Sequence, residues 1–484
     1  MQTTRHACSD KESEARVGKD YAGYSFWLAT SGDDLTPRPP LDGSIEVDVA
    51  ILGAGFSGLW TAYYLLQRQP SLRVALIEAE IAGFGASGRN GGWCSASFPY
   101  PLAKLARRNG REGALALVRA MRDTVDEVGR VARAEGLEID YIKSGTLLLA
   151  RGDHQLPALQ AAFRSAQELG IADDYEWLDA RQAAERIRVT NVRAAYFNPH
   201  CATIHPGKLV RGLARVVERM GATIYEQTPV TAFEPRQAGV PGSQPRLITT
   251  RGDVRAEVVV LCGEAYLSRL PGLRRQLIPV YTQIAITEPL SEAQWAEIGW
   301  AGRETVASMR LGVDYLQRTA DGRIAFGERG SPYRFGSRIS DDDDVYEPAR
   351  AALERMTLEW FPMLRGVRFT HHWGGPIGMP RDRMPTIDYN RPTGIATARG
   401  YTGLGVGTTN LAGRILAALI CDDDSPLRRL PIVGHRSPNW EPEPLRWIGT
   451  RYVQRTLRKR DEEMERTGVA PRRRSLAERL WQRS

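Results

Sequence analysis

Cysteine is scarce and scattered: Cys8, Cys94, Cys201, Cys262 and Cys421 share no CxxC spacing. That argues against a thiolate zinc site and a disulfide framework, and leaves reduced, mostly buried thiols. Long apolar runs are missing too, so no stretch reaches the length of a membrane span. The polar start MQTTRHACSDKESEARVGKD lacks the pattern of a signal peptide, and the two absences together favour a cytoplasmic location. Positive charge is not spread evenly. Much of the net +8 sits in the last few dozen residues, at Arg451, Arg455, Arg458, Lys459, Arg460 and Arg472 to Arg474. This is a basic tail rather than a groove, and no nucleic-acid partner is expected. The remaining composition, 42% hydrophobic and 25% charged, is that of an ordinary globular protein, and 484 residues are enough for two packed domains.

What the chain does have is glycine, 47 residues of it, and some of it in an informative order. The apolar run Val47 to Leu52 passes into Gly53-Ala54-Gly55-Phe56-Ser57-Gly58, and Leu59, Ala62, Leu65 and Leu66 follow at helical spacing. Gly53 permits a tight turn, Gly55 a close approach to a pyrophosphate, and Gly58 the packing of helix on strand, while the first N–H groups of the helix face the anion. A second apolar run, Val74 to Ile77, ends on Glu78, twenty residues after Gly58, where a dinucleotide site needs an acid for its ribose hydroxyls.

Further along, the periodicity divides the chain. Residues 1–44 read as an N-terminal extension, its first twenty or so disordered, with an aromatic patch at Tyr24 to Leu28 that packs on the body. Residues 45–100, 200–275 and 370–424 read as a discontinuous cofactor domain, 101–199 and 276–369 as a substrate domain, and 425–484 as a basic helical tail. The strand Glu257 to Leu261 ends near Gly263, and carboxyl ends of such strands lie at the ligand crevice. Alternating strands around Tyr281 and Tyr315, with the turn Asp321-Gly322, predict an antiparallel sheet over the cofactor. The fold class expected is therefore α/β: a Rossmann-type FAD-binding domain interleaved with an α+β substrate domain that carries a mixed or antiparallel sheet. A second glycine-rich turn, Gly400 to Gly407, precedes a late helix, and clamps at both ends suit an extended, permanently held FAD better than a diffusing nicotinamide.

Val47 to Leu59, Gly85-Ala86-Ser87-Gly88-Arg89-Asn90-Gly91-Gly92-Trp93, Trp373-Gly374-Gly375-Pro376-Ile377-Gly378 and Gly400 to Val406 together resemble the D-amino-acid oxidase superfamily. The likeness is to its glycine and sarcosine oxidase type, and within that to the gamma-glutamylputrescine oxidoreductase-like branch. The resemblance implies that Gly53, Gly55, Phe56, Ser57 and Gly58 hold the pyrophosphate of FAD, and Glu78 with Ala79 the adenosine ribose. It places Ala86, Ser87, Gly88, Arg89, Asn90, Gly91 and Gly92 beside the pyrophosphate and ring, and Val230 near the adenine. Gly403, Leu404, Gly405, Val406 and Gly407 would offer N–H groups to the reduced ring. Some relatives tether flavin to a cysteine near the stretch 371–379. This chain has none there, which implies non-covalent FAD. Ile377 stands where glycine oxidases carry the arginine that grips a substrate carboxylate. An amine, or an amine with a distant carboxylate, is then favoured over a simple α-amino acid.

The implied chemistry is hydride transfer from the carbon bearing an amine to flavin N5, giving an imine that water hydrolyses. Dioxygen or another acceptor reoxidises the flavin. His205, Tyr281, Tyr315 and Trp373 are the candidate cavity residues, although His205 also suits a helix start and the tyrosines suit a core. His371 and His372 are adjacent in a strand and face opposite sides, so no metal site is expected. Asp341 to Asp344 reads as a solvated loop. Two alternatives remain. A flavin monooxygenase reduced by NAD(P)H would carry Gly-Asp before the late helix, where this chain has Gly400-Tyr401. A non-catalytic nucleotide-binding protein would be recruited to a membrane by residues 445–462, for which packing on the chain's own body is the simpler reading.

Overall fold

In the computed structural model, residues 18–471 and 473–483 are described. Residues 1–17, Arg472 and Ser484 lie outside them, and with them Cys8 and most of the stretch expected to be disordered. The strand Ile45–Leu52 lies inside the first sheet because its neighbours are as apolar as it is. It pairs in parallel with Asp253–Leu261 on one side and Val74–Ile77 on the other, and Ala50 and Ile51 are shut off from solvent. Continuous apolar runs of this kind mark parallel strands covered on both faces. The sheet continues outward to Thr223–Tyr225 on one edge, and through Ile395–Arg399 to Thr386–Asn390 on the other. The helices Phe56–Arg68 and Gly405–Ile420 pack closely on each other: a Cβ on Gly413 would lie 2.7 Å from the Trp60 backbone carbon.

The second sheet also has eight strands, in the order Phe369–Met379, Ile278–Thr287, Ile324–Glu328, Asp314–Arg318, Thr305–Ser308, Thr146–Arg151, Val192–Asn198 and Glu176–Asp179. Neighbours are antiparallel except Thr305–Ser308 and Thr146–Arg151, which run parallel. Its covered face forms a core of its own around Leu147, Leu149, Trp300, Phe326 and Trp360.

Two expected boundaries change. The strand Phe369–Met379, assigned to the cofactor half with 370–424, is the edge of the second sheet, in register with Ile278–Thr287. Its glycines are not turn residues: a Cβ on Gly374 would meet the Gln283 side chain at 2.3 Å, so glycine here serves cross-strand packing. The helix Leu102–Ala134, assigned to the substrate half, buries Leu105, Leu117, Met121, Val125 and Val128 in the core of the first. Periodicity shows that such a helix has a buried face, not what covers it.

Candidate site at the two glycine turns

The fingerprint turn is built by exclusion. Gly53 has φ +97°, and a Cβ there would lie 3.0 Å from the Cys262 carbonyl oxygen; one on Gly58 would lie 2.0 Å from the Gly53 carbonyl oxygen. No side chain larger than hydrogen fits at either position. Gly55 caps the helix without a side-chain hydrogen bond, and the Phe56 N–H donates to Ser87 Oγ at 2.8 Å. At the carboxyl end of the next strand, Glu78 accepts from the Ala54 N–H at 2.9 Å and from the Glu80 N–H at 3.1 Å. Burial lifts its pKa from 4.5 to about 7. Ala79 follows it, and Thr228, whose N–H donates to the Glu78 carbonyl at 2.9 Å, brings the chain alongside two residues before Val230.

The late turn repeats the design with a sharper backbone. Gly400, Thr402 and Gly403 have φ of +83°, +53° and +93°, and the 16-residue helix Gly405–Ile420 starts behind Leu404 with no side-chain cap. Its first N–H groups, like those at Gly55, are those that orient toward an anion. Glu264, directly after Gly263, holds this turn. It accepts from the N–H groups of Gly400 at 2.7 Å, Tyr401 at 3.3 Å and Gly378 at 3.1 Å, joining the end of a first-sheet strand to the edge strand of the second. Nothing in its local sequence marks this role. Ser57 Oγ and Tyr401 Oη share a hydrogen bond of 2.8 Å, so the two glycine turns adjoin.

The loop 85–93 bridges the two halves. A Cβ on Gly91 would lie 2.5 Å from the Tyr315 ring, and one on Gly92 would lie 2.1 Å from Gln317 Oε1, so the paired glycines let the second sheet close over the loop. Asn90 braces the loop from within, donating to the Ala86 and Ser87 carbonyls and accepting from the Gly92 N–H. Ser25 Oγ donates to the carbonyl of Gly88. The side chain of Arg89, a residue that the resemblance places beside the pyrophosphate and ring, is engaged within the protein. The guanidinium donates to the Phe84 and Gly374 carbonyls and pairs with Asp344, lying 4.3 Å from the Phe84 ring centroid. The aspartate run 341–344 is likewise not simply solvated. Asp344 and Asp343 are buried, paired with Arg89 and Arg334, and burial pushes the Asp344 pKa up to about 6.

The four cavity candidates separate. His205 caps the helix Pro206–Arg219: its Nδ1 accepts from the Lys208 N–H at 3.1 Å and its Nε2 lies 3.0 Å from Thr30 Oγ1. It lines a 390 Å³ cavity with Phe26, Trp27, Asp140 and Arg303, and burial lowers its pKa to about 4. Tyr281 is spent on Ser340, donating to its carbonyl and accepting from its N–H, both at 3.1 Å. Trp373 is buried behind the glycine loop and donates to the Arg89 carbonyl at 3.0 Å. Tyr315 also lies against the glycine loop, edge-on to Trp93 at 6.2 Å between centroids, with burial pushing its pKa to about 12.

Beside Tyr315 stands a residue the sequence did not single out. Arg329 follows the strand Ile324–Glu328 and donates to the Thr402 carbonyl at 3.0 Å. A Cβ on Gly403 would lie 3.3 Å from Ile377 Cδ1 and 3.6 Å from Arg329 Nη2, so the three meet at one point. Burial first, then the charge of Arg383, lowers the Arg329 pKa to about 10.

A family model described as FAD dependent oxidoreductase (DAO) matches residues 48–419. The gamma-glutamylputrescine oxidoreductase of Escherichia coli is 30% identical over 401 residues, covering 82% of this chain and 89% of that protein. Among solved structures, glycine oxidase from Geobacillus kaustophilus has a TM-score of 0.62 at 24% identity, covering 81% of this chain and 99% of that one. L-proline dehydrogenase from P. horikoshii has a TM-score of 0.65 at 20% identity, covering 81% and 96%.

Proposed function

The chain belongs to the DAO family of FAD dependent oxidoreductases, and on that premise we propose that it oxidises the CH–NH bond of an amine that also bears a carboxylate. The observation that carries this reading is the meeting of Arg329, Ile377 and Gly403 beside Tyr315. The missing arginine at Ile377 removes one carboxylate partner, and Arg329, from the next strand but one, brings a guanidinium to the same place. A charge-assisted pair of this kind contributes about 1.5 to 3 kcal/mol. Gamma-glutamylputrescine, after which the Escherichia coli relative is named, combines an amine with a distant carboxylate.

The residues present fit FAD, because the close backbone contacts at Gly53 and Gly58 keep the turn tight and the helix behind Gly55 starts without a side-chain cap, which suits a pyrophosphate. Gly53 to Gly58 and Ser87 would hold the pyrophosphate, Glu78 the ribose, and Gly403 to Gly407 the ring. Bound FAD supplies the acceptor for the hydride that leaves the amine-bearing carbon. The chain's own work is to place that carbon and to meet the charge that develops. The N–H groups opening Gly405–Ile420 present a positive dipole, fixed in advance by the Glu264 carboxylate. Tyr315, with its pKa pushed up by burial, stays protonated at neutral pH and remains a donor. Arg329 orients the substrate from its carboxylate end, and no acid–base pair is required of the protein. Water then hydrolyses the imine, and dioxygen or another acceptor reoxidises the enzyme. The cofactor is held without a covalent tether, since 371–379 contains no cysteine.

Anaerobic addition of amines to the purified yellow protein tests the reading. Bleaching by an amine with a carboxylate, followed by release of the flavin on denaturation, supports it. A protein that stays colourless after FAD is added, or that bleaches only with NADPH, refutes it.

A further inference from the structure

The helix Leu445–Thr467 has one committed face. Leu457 is buried, Asp461 accepts from the N–H groups of Leu311 and Gly312 at 2.9 and 2.7 Å, Gln454 accepts from the Tyr333 N–H at 3.0 Å, and Arg446 donates to the Arg274 carbonyl at 3.1 Å. Leu445, Ile448, Tyr452, Arg455 and Lys459 recur at three- and four-residue spacing on the other side, which makes them one outward stripe of the helix. Trp447 flanks the stripe and meets Phe335, their ring centroids 6.4 Å apart. Leu445, Trp447, Ile448, Tyr452 and Phe335 are 38–62% exposed and make up five of the eleven exposed large apolar side chains among the described residues.

Phe335 is held outward rather than left loose. Glu443 accepts from the Gly336 N–H at 2.9 Å and from the Trp447 N–H at 3.0 Å, so one carboxylate fixes both the turn and the helix start. Arg334 pairs with Asp343, and Tyr333 Oη shares a hydrogen bond of 2.9 Å with Ser337 Oγ. The cations of the same face crowd one another: burial and then Arg455 lower the Arg451 pKa, with Arg334 and Arg458 adding to the effect.

We propose that this face seats on an anionic lipid bilayer, with the apolar side chains entering the headgroup region and Arg451, Arg455 and Lys459 meeting lipid phosphates. Tryptophan and tyrosine have an apolar body and a polar tip, which suits that depth, and a basic amphipathic helix binds anionic lipid through both terms. No helix among the described residues is long and apolar enough to cross a membrane, so the contact lies in the plane of the surface. Two copies of the chain meeting through this face would bring arginine against arginine, whereas phosphates complement it. This assignment is independent of the substrate reading.

The test is co-sedimentation of the full-length holoenzyme with vesicles of phosphatidylcholine alone and of phosphatidylcholine mixed with phosphatidylglycerol. Binding to the mixed vesicles that falls with added salt is the expected result. Both W447S/I448S and R451E/R455E should weaken it by roughly tenfold or more while flavin content and turnover stay at the wild-type level. Equal recovery with and without phosphatidylglycerol, or unchanged binding by R451E/R455E, overturns the proposal. So does a lipid-free dimer, seen by light scattering, that W447S/I448S dissociates.

Discussion

The two halves of the molecule reach the same cleft by opposite means. The first half works through backbone: Gly53, Gly58 and Gly403 act by what they leave out, and the groups that the proposed reading assigns to recognition are N–H groups at helix starts. The second, on the same reading, works through long side chains, Tyr315 and Arg329, from neighbouring strands. A backbone site tolerates no substitution at its glycines but says little about what it binds beyond its phosphates. A side-chain site can be altered one residue at a time, and each change alters preference rather than assembly. On the proposed reading, cofactor and substrate specificity are separable in this chain, with Glu264 and Arg89 as the joints between its halves.

That contrast is open to graded attack. Gly58→Val should have the largest effect, because the new side chain begins 2.0 Å from the Gly53 carbonyl oxygen; protein recovered without FAD by absorbance is the expected outcome. Arg89→Met leaves Asp344 buried and unpaired and should cost about 3 to 5 kcal/mol in denaturant unfolding, lowering stability without changing which amine is oxidised. Arg329→Met should raise KM for a carboxylate-bearing amine about 10- to 100-fold, the equivalent of about 1.5 to 3 kcal/mol. Its effect on an otherwise matched amine lacking the carboxylate should be slight. Equal losses on both would collapse the distinction between the halves.

Two smaller effects sharpen the comparison. The folded pKa of Glu78 is raised from 4.5 to about 7, so the folded state holds its proton more tightly than the unfolded chain does. Its contribution to apoprotein stability is fully present below about pH 4.5 and is lost as pH rises through about 7. Glu78→Gln should flatten that slope in urea titrations across the window. His205→Ala removes a helix cap worth about 1 kcal/mol, which should appear in unfolding and leave KM unchanged, since the imidazole is engaged by Lys208 and Thr30.

The backbone half was the legible one. A turn that demands glycine leaves its demand in consecutive residues, so Gly53 to Gly58, Glu78 and the turn at Gly400 to Gly407 could be placed before any coordinates. Arg329 could not, because its meaning arises only where Ile324–Glu328, Phe369–Met379 and the late turn converge, and none of these is near another in sequence. Arg89 is the complementary case. It lies inside a motif whose backbone serves the cofactor loop while its side chain turns toward Asp344. Tyr281 and His205 are chemically suited to a cavity, but Tyr281 is engaged by Ser340, and His205, although it lines a cavity, has its Nδ1 taken up by the Lys208 N–H.

The pairing of the first strand also sets a timetable. Ile45–Leu52 needs Asp253–Leu261 beside it, and that strand in turn needs Ile395–Arg399, while Glu264 is satisfied only when Gly400 and Tyr401 arrive. Domains are generally completed in the order in which they leave the ribosome. Here the first strand made waits for one of the last, and through most of synthesis the nascent chain carries an unfinished cleft. On the proposed reading FAD is captured by a nearly complete polypeptide rather than by an early domain, and a truncation well short of residue 401 should leave a chain with the whole first glycine turn and no hold on the flavin.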